Sequence, residues 1–172
     1  KIKKFKIPII LIVSKKLFYR QMKRLNYSYK INNIEVKDIL KKKIDNKKIN
    51  IIDIKFKFNK IFDKISNKSN LYIKNSFDVA LNLLKNKKAI GMVNGPISKK
   101  HFLKNKFLGI TEYLAKKTKS KNQSVMLIYN TNISVSPITT HLPIKKVSTS
   151  LTKTKIIKNI ILLNNFYNKK LK

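Results

Sequence analysis

The stretch Ala89-Ile90-Gly91-Met92-Val93-Asn94-Gly95-Pro96-Ile97-Ser98-Lys99 decides the predicted fold. Its first five residues are mostly apolar and predict a short buried strand, and the Asn-Gly-Pro that follows predicts a turn. Residues 70–87, just before it, carry apolar side chains at helical spacing and end in lysines, which suit a helix C-terminus. Open α/β sheets bind their ligands in loops at the carboxyl ends of strands. The order helix, strand and glycine turn therefore predicts an α/β fold with a polar site near residue 94.

The scarce residue types of this chain gather in one region. The sequence of 172 residues has three Gly, four Pro and two His, and only Pro8 among them lies outside residues 91–143. Inside that region they are Gly91, Gly95, Pro96, His101, Gly109, Pro137, His141 and Pro143. We interpret this clustering as two loops and a strand end that build one polar site.

The formal net charge of +34 suggests a nucleic-acid-binding module whose lysines neutralise phosphates. The excess is almost wholly Lys, with Arg20 and Arg24 as the two arginines, and it is spread evenly along the chain together with Ile and Asn. These three residue types have AT-rich codons, so a biased genome produces the same profile. A dedicated binder concentrates charge on one face, favours Arg and interleaves stacking aromatic residues. We expect no specific nucleic-acid partner, and the basic binding module is the alternative from another class.

The absence of Cys excludes a disulfide framework, a thiolate zinc site and a cysteine nucleophile, and it fits a reducing cytoplasm. The basic start followed by apolar residues 7–13 resembles a signal peptide, but Lys15 and Lys16 end the run and no small-residue cleavage site follows. No stretch approaches the roughly 20 apolar residues of a membrane-spanning helix. We therefore expect a cytoplasmic protein without a membrane partner. Because the chain opens on Lys rather than Met, we do not expect Lys1 to be the native start.

The rest of the first half predicts further α/β elements. Residues 7–13 form a continuous apolar run typical of a strand buried on both faces, and Ser14 is placed to cap a helix that runs to Arg24. Asn32-Asn33 and Asp45-Asn46 predict turns. Residues 49–58 alternate apolar and polar side chains, which predicts a half-exposed strand near a sheet edge.

In the second half, Ser98 is placed to cap a short helix through residue 105. Thr111 is placed to cap another helix through residue 119, with Glu112 as an acid in its first turn. Residues 124–129 and 133–138 predict two strands of a hairpin. Thr152 is placed to cap a final helix with an apolar stripe at Ile156, Ile160, Leu163 and Tyr167. With no repeat and no linker, residues 1–172 are expected to form a single incomplete α/β unit, with a subdivision conceivable near residues 94–150.

Two segments of the central region, the turn at residues 94–99 and the residues around His141, are candidate functional sites. Gly95 lets a ligand approach the backbone, the helix start beyond offers N–H groups to an anion, and Lys99 can add charge for a phosphate. His141, just past a strand and before Leu-Pro, can bind a metal or a proton. A tight structural turn and a structural histidine are the alternatives at these positions, and His101 on a lysine-rich helix is assigned to the surface. Spacing alone leads no further than an α/β domain with a polar site at strand ends.

Four motifs, in order, resemble the 4-hydroxythreonine-4-phosphate dehydrogenase family of pyridoxal phosphate (vitamin B6, pyridoxine) biosynthesis. They are Asn94-Gly95-Pro96-Ile97-Ser98-Lys99, Phe107-Leu108-Gly109-Ile110-Thr111-Glu112-Tyr113, Val125-Met126-Leu127 and Thr139-Thr140-His141-Leu142-Pro143-Ile144-Lys145. The resemblance implies an α/β/α sandwich like that of the isocitrate and isopropylmalate dehydrogenases. It further implies a fragment of about the first half of such an enzyme, incomplete at both ends.

The activity implied by the resemblance is the NAD-dependent oxidation of 4-phosphooxy-L-threonine to a β-keto acid, which decarboxylates to 3-amino-2-oxopropyl phosphate. The implied divalent metal, zinc, magnesium or cobalt, is held by three histidines across a homodimer interface and polarises the substrate hydroxyl. His141 matches the first of these ligands, so the resemblance implies that it is a metal ligand and a catalytic residue. Thr111 matches a substrate-binding threonine, and Lys99 is expected near the substrate.

One departure from the family pattern concerns Ile110, which replaces the usual substrate-contacting histidine of Gly-His-Thr-Glu. Because an Ile side chain forms no hydrogen bond, a related phospho-sugar-acid dehydrogenase is an alternative function. The other two metal histidines and much of the NAD contact are expected beyond Lys172. The fragment alone is therefore expected to be inactive. A third interpretation is a decayed enzyme fragment that keeps only a structural role.

Overall fold

The computed structural model describes residues 7–39, 44, 47–120 and 124–171 of the chain. The chain divides into two compact units, Lys1–Phe102 and Leu103–Lys172, which we call the first and the second unit. That both belong to one incomplete α/β unit stays a prediction.

The first unit is built on a three-stranded parallel sheet. Its strands are β1 (Ile10–Val13), β2 (Ile31–Asn33) and β3 (Ile49–Asp53), in the order β1-β3-β2. The register pairs Ile10 of β1 with Asn50 of β3, and Ile31 of β2 with Ile49 of β3. The strands of parallel sheets are usually buried on both faces. In the centre of β3, Ile51 and Ile52 are both almost fully buried, as this arrangement requires. The predicted α/β class is confirmed by this sheet and its helices.

Two predictions for these strands were wrong. Residues 49–58 were expected at a sheet edge, but β3 is central and ends at Asp53, where a carboxylate oxygen of that residue accepts the backbone N–H of Lys15 at 2.8 Å. The alternating exposure continues only in the irregular residues 54–58. Asn32-Asn33 lie in β2 rather than in a turn, because Nδ2 of Asn32 donates to Oδ1 of the buried Asn50 at 3.0 Å. The turn predicted at residues 45–46 lies outside the described residues.

Helices pack against this sheet. Helix α1 (Lys15–Arg24) begins where predicted, and Oγ of Ser14 accepts the N–H of Leu17 at 3.4 Å. Helix α2 (Asn70–Lys85) buries Phe77 and Ala80 of its predicted apolar stripe, and it also buries Leu83, which the prediction did not include. Leu83 joins the core cluster, whose other buried members are Ile34, Ile39 and Ile52.

The strand predicted at residues 89–93 is not formed. Helix α2 ends with Lys87 in the left-handed region at φ 54°, while Lys87 and Lys88 donate their N–H groups to the carbonyls of Leu84 and Leu83. This closing motif turns the chain out of the helix direction. Beyond it the side chain of Val93 is 99% exposed. Residues 91–98 are irregular and connect α2 to helix α3 (Lys99–Leu103).

The second unit contains helices α4 (Ile110–Lys117), α5 (Val147–Ser150) and α6 (Lys153–Phe166). The predicted hairpin shrinks to one antiparallel pair, in which Ile128 and Val135 exchange N–H···O bonds of 2.8 and 2.9 Å. The predicted cap of α6 is confirmed, because Oγ1 of Thr152 accepts the N–H of Lys155 at 3.3 Å. In the part of the chain that the structure describes, no helix is both long and apolar enough to cross a membrane.

Candidate functional site

A cleft of about 400 Å³ opens in the first unit. Its walls come from α1, from the loop of residues 56–66, from the start of α2 and from residues 96–102. The predicted turn therefore does border a cavity, through Pro96, Ile97 and Ser98. Lys99 is exposed at the first position of α3, next to this wall.

The cleft contains a serine–histidine pair that lies three residues apart on the short helix α3 and its entry. Oγ of Ser98 and Nδ1 of His101 are 2.8 Å apart, a hydrogen bond whose donor depends on the imidazole tautomer. His101 was predicted to lie at the surface, but its side chain is half-buried and lines the cleft. A serine three residues before a histidine at a helix start could have signalled this contact, since such positions are neighbours on a helix.

Asn70 connects this pair to helix α2. Its Nδ2 donates to the backbone carbonyl of His101 at 2.8 Å, and its Oδ1 is buried without a hydrogen-bond partner in the described structure. Asn70 was not predicted as a lining residue, because its contact with His101 joins residues 31 positions apart. The pair and Asn70 together form the polar end of the cleft.

The aromatic end of the cleft wall is anchored on Tyr72. Phe56 stacks on its ring at a centroid distance of 4.9 Å, and the phenol oxygen accepts the N–H of Ser14 at 3.1 Å. Burial raises the pKa of Tyr72; the Ser14 hydrogen bond opposes this shift and the nearby Asp53 carboxylate adds to it. The environment therefore favours the neutral phenol over the phenolate.

In the second unit, Ile110 and Thr111 lie in the first turn of α4. The residue that caps this helix is Gly109, so the prediction that Thr111 is the cap was wrong, whereas Glu112 is the predicted first-turn acid. A Cβ atom at position 109 would lie 2.9 Å from Oε2 of Glu112, the end of a flexible side chain that can shift to make room. The side chain of Thr111 is exposed and that of Ile110 is half-buried.

His141 has an unusual backbone conformation. It lies in the second unit at φ 57°, in the left-handed region that non-glycine residues seldom adopt, and its side chain is exposed. The chain after it is fixed by Pro143, whose carbonyl accepts the N–H of Lys146 at 2.8 Å.

A metal ion needs more donors than His141 supplies. Among the described residues, no group of three or more His, Cys, Asp or Glu side chains is arranged to hold a metal ion. Taken alone, these residues therefore do not fit the metal centre that the resemblance implies. The joint site of Lys99, Ile110, Thr111 and His141 stays a prediction, with Lys99 in the first unit and the other three in the second.

Comparison with known proteins gives one consistent result. The model of the family described as pyridoxal phosphate biosynthetic protein PdxA matches residues 4–172. A 4-hydroxythreonine-4-phosphate dehydrogenase of Sulfurihydrogenibium sp. (strain YO3AOP1) is 30% identical over 173 residues, covering 99% of this chain and 52% of the relative. A protein of the same name from Wigglesworthia glossinidia brevipalpis is 32% identical over 120 residues, covering 68% of this chain and 36% of the relative. The chain thus spans about half the length, or less, of these relatives.

Proposed function

Because this chain belongs to the pyridoxal phosphate biosynthetic protein PdxA family, we propose that it forms part of an NAD-dependent and divalent-metal-dependent dehydrogenase. The proposed reaction oxidises 4-phosphooxy-L-threonine to a β-keto acid that decarboxylates to 3-amino-2-oxopropyl phosphate. The observation that carries the proposal is the family match over nearly the whole chain, together with relatives that are named as 4-hydroxythreonine-4-phosphate dehydrogenases.

The wider architecture is part of the same proposal. The parallel sheet flanked by helices is compatible with an α/β/α sandwich of the isocitrate and isopropylmalate dehydrogenase type. The proposed assembly is a cytoplasmic homodimer with the metal site at its interface. His141 would supply one ligand to zinc, magnesium or cobalt, and the remaining ligands would come from outside the described residues.

Thr111 is the residue whose placement supports substrate binding best. Its exposed hydroxyl lies in the first turn of α4, where helix N–H groups and the positive end of the helix dipole favour a phosphate. Lys99 is the proposed source of additional positive charge. These groups would bind and orient the phosphorylated hydroxy-amino acid.

A matched pair of variants tests substrate binding. Thr111→Val removes the hydroxyl and keeps the shape, so the Kd for 4-phosphooxy-L-threonine should rise about tenfold or more, as for the loss of a hydrogen bond to a charged group. Thr131→Val, at an exposed loop position, should leave the Kd unchanged. Equal Kd values in calorimetry for wild type and Thr111→Val would contradict the assigned role.

The half-buried Ile110 favours a second candidate, a dehydrogenase for a related phospho-sugar acid. An apolar side chain at this position cannot bond an amino or hydroxyl group of the substrate. Titration with 4-phosphooxy-L-threonine and with 4-phospho-D-erythronate, a phosphorylated hydroxy acid without the amino group, separates the two candidates. Tighter binding of the amino acid supports the first, and tighter binding of the sugar acid supports the second.

A further inference from the structure

Asn94-Gly95 is the single Asn-Gly pair of the sequence, and it lies in the irregular segment between α2 and α3. In such a pair, the backbone nitrogen of the glycine can attack the side-chain carbonyl carbon of the asparagine, because the glycine has no Cβ atom that hinders the approach. In a folded protein, the reaction requires that both residues are exposed, that the nitrogen is free and that the backbone has room to move. Each of these conditions is open to inspection at Asn94.

The fold leaves the attacking nitrogen free. Among the described residues, the N–H of Gly95 forms no hydrogen bond with another protein group. A Cβ atom at position 95 would meet no heavy atom of those residues within 4 Å, its two chain neighbours aside. Asn94, Gly95 and Pro96 are exposed, and the side chain of Val93 is 99% exposed. Water and hydroxide therefore reach this nitrogen, and the segment has room for a ring to close.

The carboxamide of Asn94 lies beside the glycine. Its Nδ2 donates to the carbonyl of Gly95 at 3.1 Å, the one hydrogen bond of this side chain within the described part of the chain. This contact keeps the carboxamide along the backbone of Gly95 and leaves it unattached to any other element. Nδ2 is therefore not retained by the rest of the fold when it has to leave.

Another asparagine that precedes a small residue provides a contrast. Asn75 comes before Ser76 and its side chain is exposed, but both residues lie inside α2. There the backbone N–H of Ser76 belongs to the helical hydrogen-bond ladder, and the backbone is fixed in the helical conformation. The nitrogen after Asn75 is therefore unavailable, although the asparagine itself is as open to solvent as Asn94.

We propose that Asn94 is a modification site at which the folded chain deamidates spontaneously, with water as the co-reactant. The nitrogen of Gly95 bonds to Cγ of Asn94, the bond from Cγ to Nδ2 breaks, and the proton of the Gly95 N–H leaves with Nδ2 as ammonia. Water then opens the cyclic imide that has formed. Cleavage between the nitrogen and Cγ gives aspartate at position 94, and cleavage between the nitrogen and the main-chain carbonyl carbon gives isoaspartate.

Both products replace a neutral carboxamide by a carboxylate, so each event lowers the net charge of the chain by one. Isoaspartate also routes the main chain through Cβ, which lengthens the backbone just before Gly95. The change falls in the motif that ends at Lys99, but the chemistry depends on neither the proposed substrate nor dehydrogenase activity.

Peptide mapping of the full chain tests the site. After incubation in mildly alkaline buffer made with heavy-oxygen water, a protease that cleaves after lysine releases residues 89–99 as a peptide whose one asparagine is Asn94. The mass of this peptide should change by the exchange of the amide nitrogen for one solvent oxygen, and a carboxyl methyltransferase specific for isoaspartate should methylate part of the product. The peptide of residues 75–85, which contains Asn75, should keep its mass over the same period.

Free peptides and two glycine variants separate the effect of the fold from that of the sequence. The folded chain should react at Asn94 within about tenfold of the rate of a free 89–99 peptide, whereas Asn75 should react more than about tenfold slower than in a free 75–85 peptide. Gly95→Ala should slow the reaction about tenfold or more, because a Cβ atom hinders the attack. Gly91→Ala, at another exposed glycine with open space around it, should leave the rate unchanged.

Circular dichroism confirms that each variant is folded. An Asn94 that stays intact in the folded chain while the free peptide reacts, or an unchanged rate in Gly95→Ala, would overturn the proposal.

Discussion

Replacing His141 by Gly and by Ala separates the backbone of the predicted metal ligand from its imidazole. Both variants lack the ring, so the difference in their stability reports only the left-handed backbone at φ 57°. A residue with a Cβ atom pays about 1–2 kcal/mol in this conformation. Glycine avoids that cost but gives up about 0.4–1 kcal/mol through its freer unfolded chain. We therefore expect His141→Gly to be more stable than His141→Ala by about 0.5–1 kcal/mol.

Urea unfolding followed by circular dichroism measures this difference, provided that the m-values of the two variants agree. Lys87, at φ 54°, is a positive control and should likewise favour Gly over Ala. Lys145, inside the helical turn Ile144–Lys146, should show the opposite order, because glycine weakens helical segments by up to about 1 kcal/mol. A His141→Ala variant as stable as His141→Gly would refute the view that the fold imposes a strained backbone at this position.

Three further predictions concern the core, the substrate and pH. Asn50→Ala should lower the unfolding free energy measured in urea by about 2–3 kcal/mol, because the buried Asn50 side chain donates to the carbonyl of Ile9 at 3.2 Å and accepts from Asn32. A loss below about 0.5 kcal/mol would contradict this role. Ile110→His should lower the Kd for 4-phosphooxy-L-threonine about tenfold in calorimetry by restoring a hydrogen-bonding group, and an unchanged Kd would count against substrate contact there. The pKa of Tyr72 is raised above its ordinary 10.0, so the stability that its neutral phenol contributes should be complete below pH 10.0 and fall above it. The difference in unfolding free energy between wild type and Tyr72→Phe should therefore shrink as the pH rises above 10.0. A difference that stays constant with pH would contradict the shift.

Local signals in the sequence predicted the helices well. Ser14 and Thr152 cap the helices they were expected to cap, and the apolar spacing of residues 70–87 gave helix α2 within a few residues. Such features depend on neighbours within one or two turns of the chain, which a sequence displays directly. The strand order was not accessible in this way. Whether β3 is central or at an edge depends on its pairing with both other strands, so the alternation in residues 49–58 was misleading.

The predicted strand at residues 89–93 failed for a different reason. Its apolar composition fits a strand, but the turn closing α2 at Lys87 directs the chain into an exposed irregular path. A lysine in the left-handed region carries no sequence signal comparable to that of glycine. The α/β class was nevertheless correct, because strands formed within residues 7–13 and 49–58 as predicted, and β2, where a turn was predicted, completes the sheet.

The sequence motifs predicted the family, but they did not predict which residues come into contact in the cleft. The order of the four motifs led to the family that the comparisons show over residues 4–172. The cleft around His101 and Asn70 was missed, since its polar end joins α3 to the start of a helix 31 residues earlier. Long-range hydrogen bonds of this kind depend on tertiary packing.

Dehydrogenase activity is the most direct test of the proposed function. This chain, joined to the remaining sequence of the relative that it matches over 99% of its own length, should form NADH from NAD and 4-phosphooxy-L-threonine in the presence of a divalent metal. His141→Ala in the same protein should lower that rate by more than about a hundredfold, at least the loss that follows mutation of a group supporting a metal ligand. A folded fusion that forms no NADH, or one whose activity survives His141→Ala, would contradict the assignment.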